Sequence, residues 1–157
     1  MSVAARLKQL LDSANVPYKT EVHPPAYTAE EVAEAAHVSG YEMAKVVVVV
    51  ADGRHVMVVV PASHRIDMQA LRDFLGAQSV RLAQEAEFAA EFPDCEIGAM
   101  PPFGELYALR LVASDVLRQD ESIYFNAGTH REIIHMKRED WERVAKPEWG
   151  TFSRLAN

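Results

Sequence analysis

One cysteine, Cys95, occurs in 157 residues, so an internal disulfide framework is excluded and a reducing, cytoplasmic setting is expected. Its neighbours Asp94 and Glu96 would raise the thiol pKa, which argues against a nucleophile. Positive charge is also scarce: 16 lysines and arginines stand against 23 aspartates and glutamates, a formal charge of −7. Generic wrapping of nucleic acid needs many cations and is disfavoured, while recognition of one nucleic-acid end by a local pocket stays open. No apolar run approaches the roughly 20 residues of a membrane span. Residues 1–17 have neither the apolar core nor the basic flank of a secretory signal, so no membrane partner is expected.

Several chemical signatures are missing as well. There is no Gly-Lys-Ser/Thr phosphate loop, no dinucleotide fingerprint and no Gly-x-Ser-x-Gly elbow around Ser39, Ser63, Ser79 or Ser114. His130 and His135 lie five apart and face opposite sides of an uninterrupted strand, and His23, His37, His55 and His64 show no ligand spacing, so no metal site is expected. The carboxylate pairs Glu30-Glu31, Glu85/Glu87 and Glu139-Asp140 sit on helix faces or starts, where solvation and the helix dipole account for them.

What is there reads as one globular domain, residues 1–157, long enough to bury roughly 70% of its unfolded surface. Val3, Leu7, Leu10, Leu11 and Ala14 predict an opening amphipathic helix, stopped at Asn15-Val16-Pro17. A short strand over 18–23 follows, which Pro24-Pro25 keeps from being central, then a helix capped by Thr28 and Glu31. Lys45 precedes five valines, Val46 to Val50, and Asp52-Gly53 turns the chain into a second apolar run, Val56 to Val60. Apolar on both faces, this hairpin belongs in the centre of a sheet or in a barrel. Asp67 and Gly76 bracket a helix, Val80 to Leu82 forms a strand, and Gln84 to Phe92 a short helix ended by Pro93. Strands are expected over 106–112, 122–126 and 132–136, and a closing helix over 138–144. The tail 147–157, with Trp149, Phe152 and Leu155, either folds back or serves a subunit contact.

Three places can carry chemistry. Lys45 at the mouth of an apolar hairpin either snorkels to water or meets an anionic ligand or developing negative charge. The loop Gly98-Ala99-Met100-Pro101-Pro102-Phe103-Gly104 is either an ordinary turn or a cradle that brings backbone N–H groups close to a carbonyl or hydroxyl. Asn126-Ala-Gly128-Thr129-His130-Arg131 joins two strands and offers a glycine, a hydroxyl, an imidazole and a guanidinium; His130 there is either a capping histidine or a working one.

Taken in order and spacing, the Thr28-Ala-Glu-Glu31 helix start, Lys45 before the valines, the Gly98-x-x-x-Pro102 loop and the Gly128-Thr129-His130 turn resemble the YbaK/EbsC family of aminoacyl-tRNA deacylases, over about residues 3–145. That resemblance implies a mixed α/β fold with a curved, largely antiparallel sheet and flanking helices. It implies hydrolysis of the ester between amino acid and tRNA, with no metal or organic cofactor. Lys45 would be the essential lysine and the Gly128 to His130 turn one wall of the pocket, with the attacking water oriented by His130 or by a substrate hydroxyl. Tyr27, Thr28, Val46, Gly98, Ala99, Met100, Pro101, Pro102, Phe103, Gly104, Gly128 and Thr129 would bind substrate. The expected partner is the aminoacylated 3′ end of tRNA, helped by a synthetase or an elongation factor. A non-catalytic tRNA-binding or synthetase-associated module is the alternative. Many relatives carry a polar Asn or Thr where this chain has Val46, so the amino-acid preference is set differently here.

Overall fold

The computed structural model describes residues 3–22 and 42–156. The helix expected from Thr28, and with it Tyr27 and Thr28, lies outside those residues. Among the described residues four α-helices and ten strands form a mixed α/β fold. Helix α1 spans Val3–Ser13 and buries Leu7 and Leu11, the stripe its spacing predicted. Strand β1, Tyr18–Val22, is the outer member of a three-stranded antiparallel sheet with β8, Glu132–Lys137, in the middle and β7, Ser122–Asn126, beyond it.

The valine hairpin is β2, Ala44–Ala51, and β3, Arg54–Pro61. Its turn forms because Asp52 and Gly53 both adopt positive φ, 48° and 82°, the twist a two-residue hairpin requires. The Asp52 carboxylate then accepts N–H bonds from Gln78 and Ser79, tying the turn to the neighbouring chain. The hairpin is central as expected: a five-stranded sheet runs β5, β2, β3, β6, β9, with β5 at Val80–Leu82, β6 at Arg110–Ser114 and β9 at Glu148–Gly150. Pairing is largely antiparallel; β3 with β6 and β6 with β9 are the parallel pairs. The sheet is open rather than closed into a barrel.

Helix α2, Met68–Leu75, has the Asp67 cap accepting Ala70 N–H and a left-handed Gly76 at its end. A short α3, Glu85–Phe88, runs into a 3-10 turn at Ala89–Glu91, and α4 covers Arg138–Ala145. The strand expected from Leu106 begins only at Arg110. Before it Gly104–Tyr107 make a 3-10 turn, and Ala108, in the left-handed region, breaks extended backbone. The tail folds back: β9 pairs with β6, and β10, Ser153–Leu155, pairs with β4, His64–Ile66. Two apolar clusters flank the hairpin, a larger one including Val48, Met57, Met100, Phe103 and Trp141, and a smaller one of Val49, Val56, Val58, Val60, Leu71, Val112 and Phe152. Among the described residues no helix is long and apolar enough to cross a membrane.

Candidate active site

Strand β2 changes neighbours along one edge. At its start Met43 bridges Tyr124 of β7 in parallel, and Tyr124 N–H donates to the Glu42 carbonyl at 3.0 Å. Farther on Val49–Ala51 pair with β5, and Ala83 N–H donates to the Val48 carbonyl at 3.0 Å. Between these attachments, among the described residues, no strand borders β2 on that side. Backbone polar groups of successive residues point to alternate edges of a strand. The carbonyls of Glu42 and Val48 point to this edge, while that of Met43 accepts Ala62 N–H on the β3 side. By alternation, Val46 presents its own N–H and C=O to the gap.

Side chains alternate between faces by the same period. Ala44, Val46 and Val48 lie on the larger cluster and Val47 and Val49 on the smaller, so half-buried Lys45 belongs to the smaller-cluster face. There it sits close enough to His64 to act on it: the His64 pKa is lowered, first by burial and then by the Lys45 ammonium. The Gly98 loop closes the opposite face. With Val46, Val48, Leu82 and Phe88, Gly98 and Met100 line a cavity of about 240 Å³. A larger hollow of about 810 Å³ lies at the far end of the hairpin around Asp52, Arg54, Glu91 and Arg110, and holds none of the predicted site residues.

The two glycine segments are sewn together. Glu96 N–H donates to the Gly128 carbonyl at 2.8 Å, Gly128 N–H to the Ala99 carbonyl at 3.0 Å, and His130 N–H to Glu96 Oε1 at 3.2 Å. His130 Nε2 lies 2.8 Å from the Ile97 carbonyl, which can only accept, so the imidazole proton is held on Nε2. Gly98 and Gly128 have φ of 88° and 98°, values that glycine adopts without the clash a Cβ brings. From Ala99 to Gly104 the loop is buried, and Gly98 alone is exposed. Its N–H donates to Met100 Sδ at 3.3 Å, a weak acceptor that a ligand oxygen can replace.

The rest of the loop is support. Trp141 Nε1 donates to the Pro102 carbonyl at 3.0 Å, and Phe103 packs edge-on against Phe125. A Cβ at Gly104 would stand 2.2 Å from the Leu109 carbonyl oxygen, so close packing requires glycine there. Thr129 Oγ1 accepts N–H bonds from Arg131 and Glu132 and shapes the turn. Thus Val46, Gly98 and Met100 meet at the cavity, Gly128 and His130 hold the loop from behind, and Lys45 lies across the strand edge.

The sequence reading gave no role to two residues here, Asn126, named only as the start of its segment, and His64. Asn126 stands two positions past Tyr124, as Lys45 stands two past Met43. Asn126 is 5% exposed, and among the described residues its side-chain oxygen has no hydrogen-bond partner. His64 was set aside for lack of ligand spacing, and only the fold brings it within electrostatic reach of Lys45. Cys95 is as unreactive as its neighbours suggested: burial, then Glu96 and Asp94, push the thiol up to about 12. Among the described residues no cluster of His, Cys, Asp and Glu is arranged to hold a metal ion.

The family model of the aminoacyl-tRNA editing domain matches residues 23–144, about three quarters of the chain. The chain belongs to that family. The match takes in Lys45 and both glycine segments of this editing domain and leaves α1, β1, β9 and β10 outside. The multifunctional Ser/Thr-tRNA deacylase ProXp-y of Escherichia coli (strain K12) is 32% identical over 157 residues, covering 96% of this chain and 93% of the relative. Among solved structures, a candidate trans-editing enzyme for prolyl tRNA synthetase superposes with a TM-score of 0.84 at 20% identity, over 98% of both chains. The hypothetical protein APE2540 does so at 0.85 and 19%, over 95% of this chain and 99% of that one. At those identities the structures speak for the fold.

Proposed function

We propose that this editing domain is a trans-editing deacylase: it hydrolyses the ester between a mischarged amino acid and the 3′-terminal ribose of tRNA, acting as one domain in the cytoplasm. The observation that carries the reading is the stretch of the β2 edge that no strand borders among the described residues, with the Val46 backbone in its plane, Gly98 on one face and Lys45 on the other. An aminoacylated ribose laid in the gap meets hydrogen-bonding groups along the edge and a cation beside it. Water adds to the ester carbonyl carbon, the carbon–oxygen bond to ribose breaks, and the ribose oxygen leaves with a proton.

Gly98 N–H, freed from the Met100 sulfur, donates to the oxyanion of the tetrahedral intermediate; a donor of this kind is worth about 10²- to 10³-fold in rate. Lys45 offsets the negative charge of that oxyanion or of the terminal phosphodiester. The Asn126 side-chain oxygen suits a donor on the substrate, its ammonium or a ribose hydroxyl, because a buried acceptor left empty is costly. Two roles compete for His130. Its bond to the Ile97 carbonyl supports a brace for the Gly98 loop, whereas water orientation calls on Nδ1.

The named activity of the Escherichia coli relative makes seryl- and threonyl-tRNA the first substrates to test, with a synthetase or elongation factor as the partner that delivers them. Hydrolysis of a panel of aminoacyl-tRNAs tests the reading. Loss of one or a few amino acids, abolished in Lys45→Ala, is the expected outcome. Bound tRNA with no turnover across the panel would instead make the domain a tRNA-binding module.

A further inference from the structure

Among the described residues four large apolar side chains are exposed, Val22, Leu82, Ile97 and Leu155, and two of them meet. Leu82, 57% exposed, and Ile97, 40% exposed, both line the cavity of about 240 Å³ that Gly98 and Met100 share. Single exposed hydrophobes are ordinary, whereas two at the rim of one cavity mark a binding surface. Neither sits on a loose segment. Leu82 pairs with Val49 at the end of β5, and Ala83 N–H next to it donates to the Val48 carbonyl at 3.0 Å. Ile97 has its carbonyl 2.8 Å from His130 Nε2, and around it Ala99 N–H donates to the Glu96 carbonyl at 3.0 Å. The buried side chains of Val48, Phe88 and Met100 line the same cavity, and among the described residues Glu85 is the one charged group there.

Such a cavity calls for a ligand that is small, apolar on its faces and able to donate a hydrogen bond at one edge. At about 240 Å³ it falls below the roughly 300–1,000 Å³ of sites that enclose a drug-sized molecule, so it takes one ring system and no more. The aminoacylated end of tRNA carries such a ring in its terminal adenine, whose faces stack on apolar surface and whose exocyclic amino group donates. Gly98 follows Ile97 directly, their Cα atoms about 3.8 Å apart, so a base resting on Ile97 leaves its ribose beside the Gly98 N–H. A small amino-acid side chain would cover little of Leu82 and Ile97, whereas a purine covers both. We propose that the terminal adenine packs between Leu82 and Ile97 with its amino group toward the Glu85 carboxylate, which sets the ester at Gly98. Hypoxanthine or guanine would turn a carbonyl oxygen to Glu85 and be repelled. The base is the same in the ground state and the transition state, so the contact lowers KM and leaves kcat alone. Its part in turnover rests on the deacylase reading, whereas adenine binding does not.

The test uses the full chain with carbon-13 methyl-labelled leucine and isoleucine, and 3′-aminoacylamido-nucleosides whose base is adenine, hypoxanthine or absent. Leu82→Ala and Ile97→Ala assign the two methyl signals. The adenine compound should move both signals and bind about tenfold more tightly than the abasic one, the scale of covering one aliphatic side chain, with the hypoxanthine compound in between. Leu82→Asn, checked for folding by circular dichroism, should shrink that preference and raise KM for aminoacyl-tRNA about tenfold, with kcat changed less than about twofold. Equal affinity for the adenine and abasic compounds, or methyl signals indifferent to the base, would overturn the proposal, and the wild-type protein alone decides this. So would a preference among amino acids that changes in Leu82→Asn while the base is ignored, which would give the cavity to the amino-acid side chain. Adenosine 5′-monophosphate bound as tightly as the adenine compound would also overturn it, in favour of a site for a free nucleotide. Wild-type protein that binds the adenine compound through both methyls and is inert on every aminoacyl-tRNA would overturn the deacylase reading alone.

Discussion

The two faces of β2 in the proposed site are built in different ways. On the Gly98 side the working parts are backbone: a left-handed glycine, an N–H resting on a thioether, and a turn tied behind them by three main-chain donors and the His130 ring. On the Lys45 side lie side chains mounted on strands, the ammonium and a buried imidazole bonded to a serine hydroxyl. A backbone site tolerates changes in side-chain chemistry that leave φ alone; a side-chain site tolerates shifts of backbone that leave the group in reach. In the proposed site the Val46 edge between them meets the ligand through its peptide groups, which do not depend on the side chain.

Removing the charge on one face should have the largest effect. Lys45→Ala is expected to lower deacylation by about 10²- to 10³-fold, on the scale of losing one oxyanion-stabilising group, with an unchanged unfolding transition. Single-turnover kinetics and circular dichroism check the two halves of that statement, and a variant that fails to fold would make Lys45 structural. On the other face, Gly98→Val forces a branched residue to a φ of 88°, at a cost of about 1–2 kcal/mol in stability or a displaced loop. Activity should fall toward that of Lys45→Ala, and normal kinetics would remove the loop from the site.

His130→Ala sharpens the comparison from behind the loop. Removing the bond to the Ile97 carbonyl costs about 1 kcal/mol, read as a lower denaturation midpoint, with activity reduced. A loss of turnover with an unchanged denaturation midpoint would give His130 the water-orienting role instead. Val46→Thr keeps the backbone and changes the side chain, so discrimination between alanyl- and seryl-tRNA should shift by no more than the 10- to 200-fold that one small group is worth, and total capacity should persist. Smallest of all is Cys95: with its thiol pKa pushed up to about 12, iodoacetamide at neutral pH should label it slowly and leave turnover untouched.

Legibility in the sequence followed the same division. Periodicity and caps located the first helix, the valine hairpin and the Asp67–Gly76 helix, because those elements are decided by local spacing. The strand expected from Leu106 began late because a left-handed Ala108 and the close packing at Gly104 decide that segment, and both are tertiary facts. Lys45, Gly98 and His130 were visible as unusual residues in order along the chain. That Lys45 and Gly98 take opposite faces of one strand edge depends on where β7 and β5 attach to β2, which no local pattern encodes. His64 shows the limit most plainly: a lone histidine with no ligand spacing, it meets Ser153 only because β10 folds back onto β4.

The central claim is that both faces close on one ligand, and it can be tested without turnover. A 3′-aminoacylamido-adenosine, in which an amide replaces the labile ester, can be titrated into labelled protein while the Gly98 N–H and Lys45 Cε resonances are followed. Both signals should move with a single binding curve. A ligand that shifts Gly98 and leaves Lys45 still, or the reverse, would separate the two faces and contradict the account.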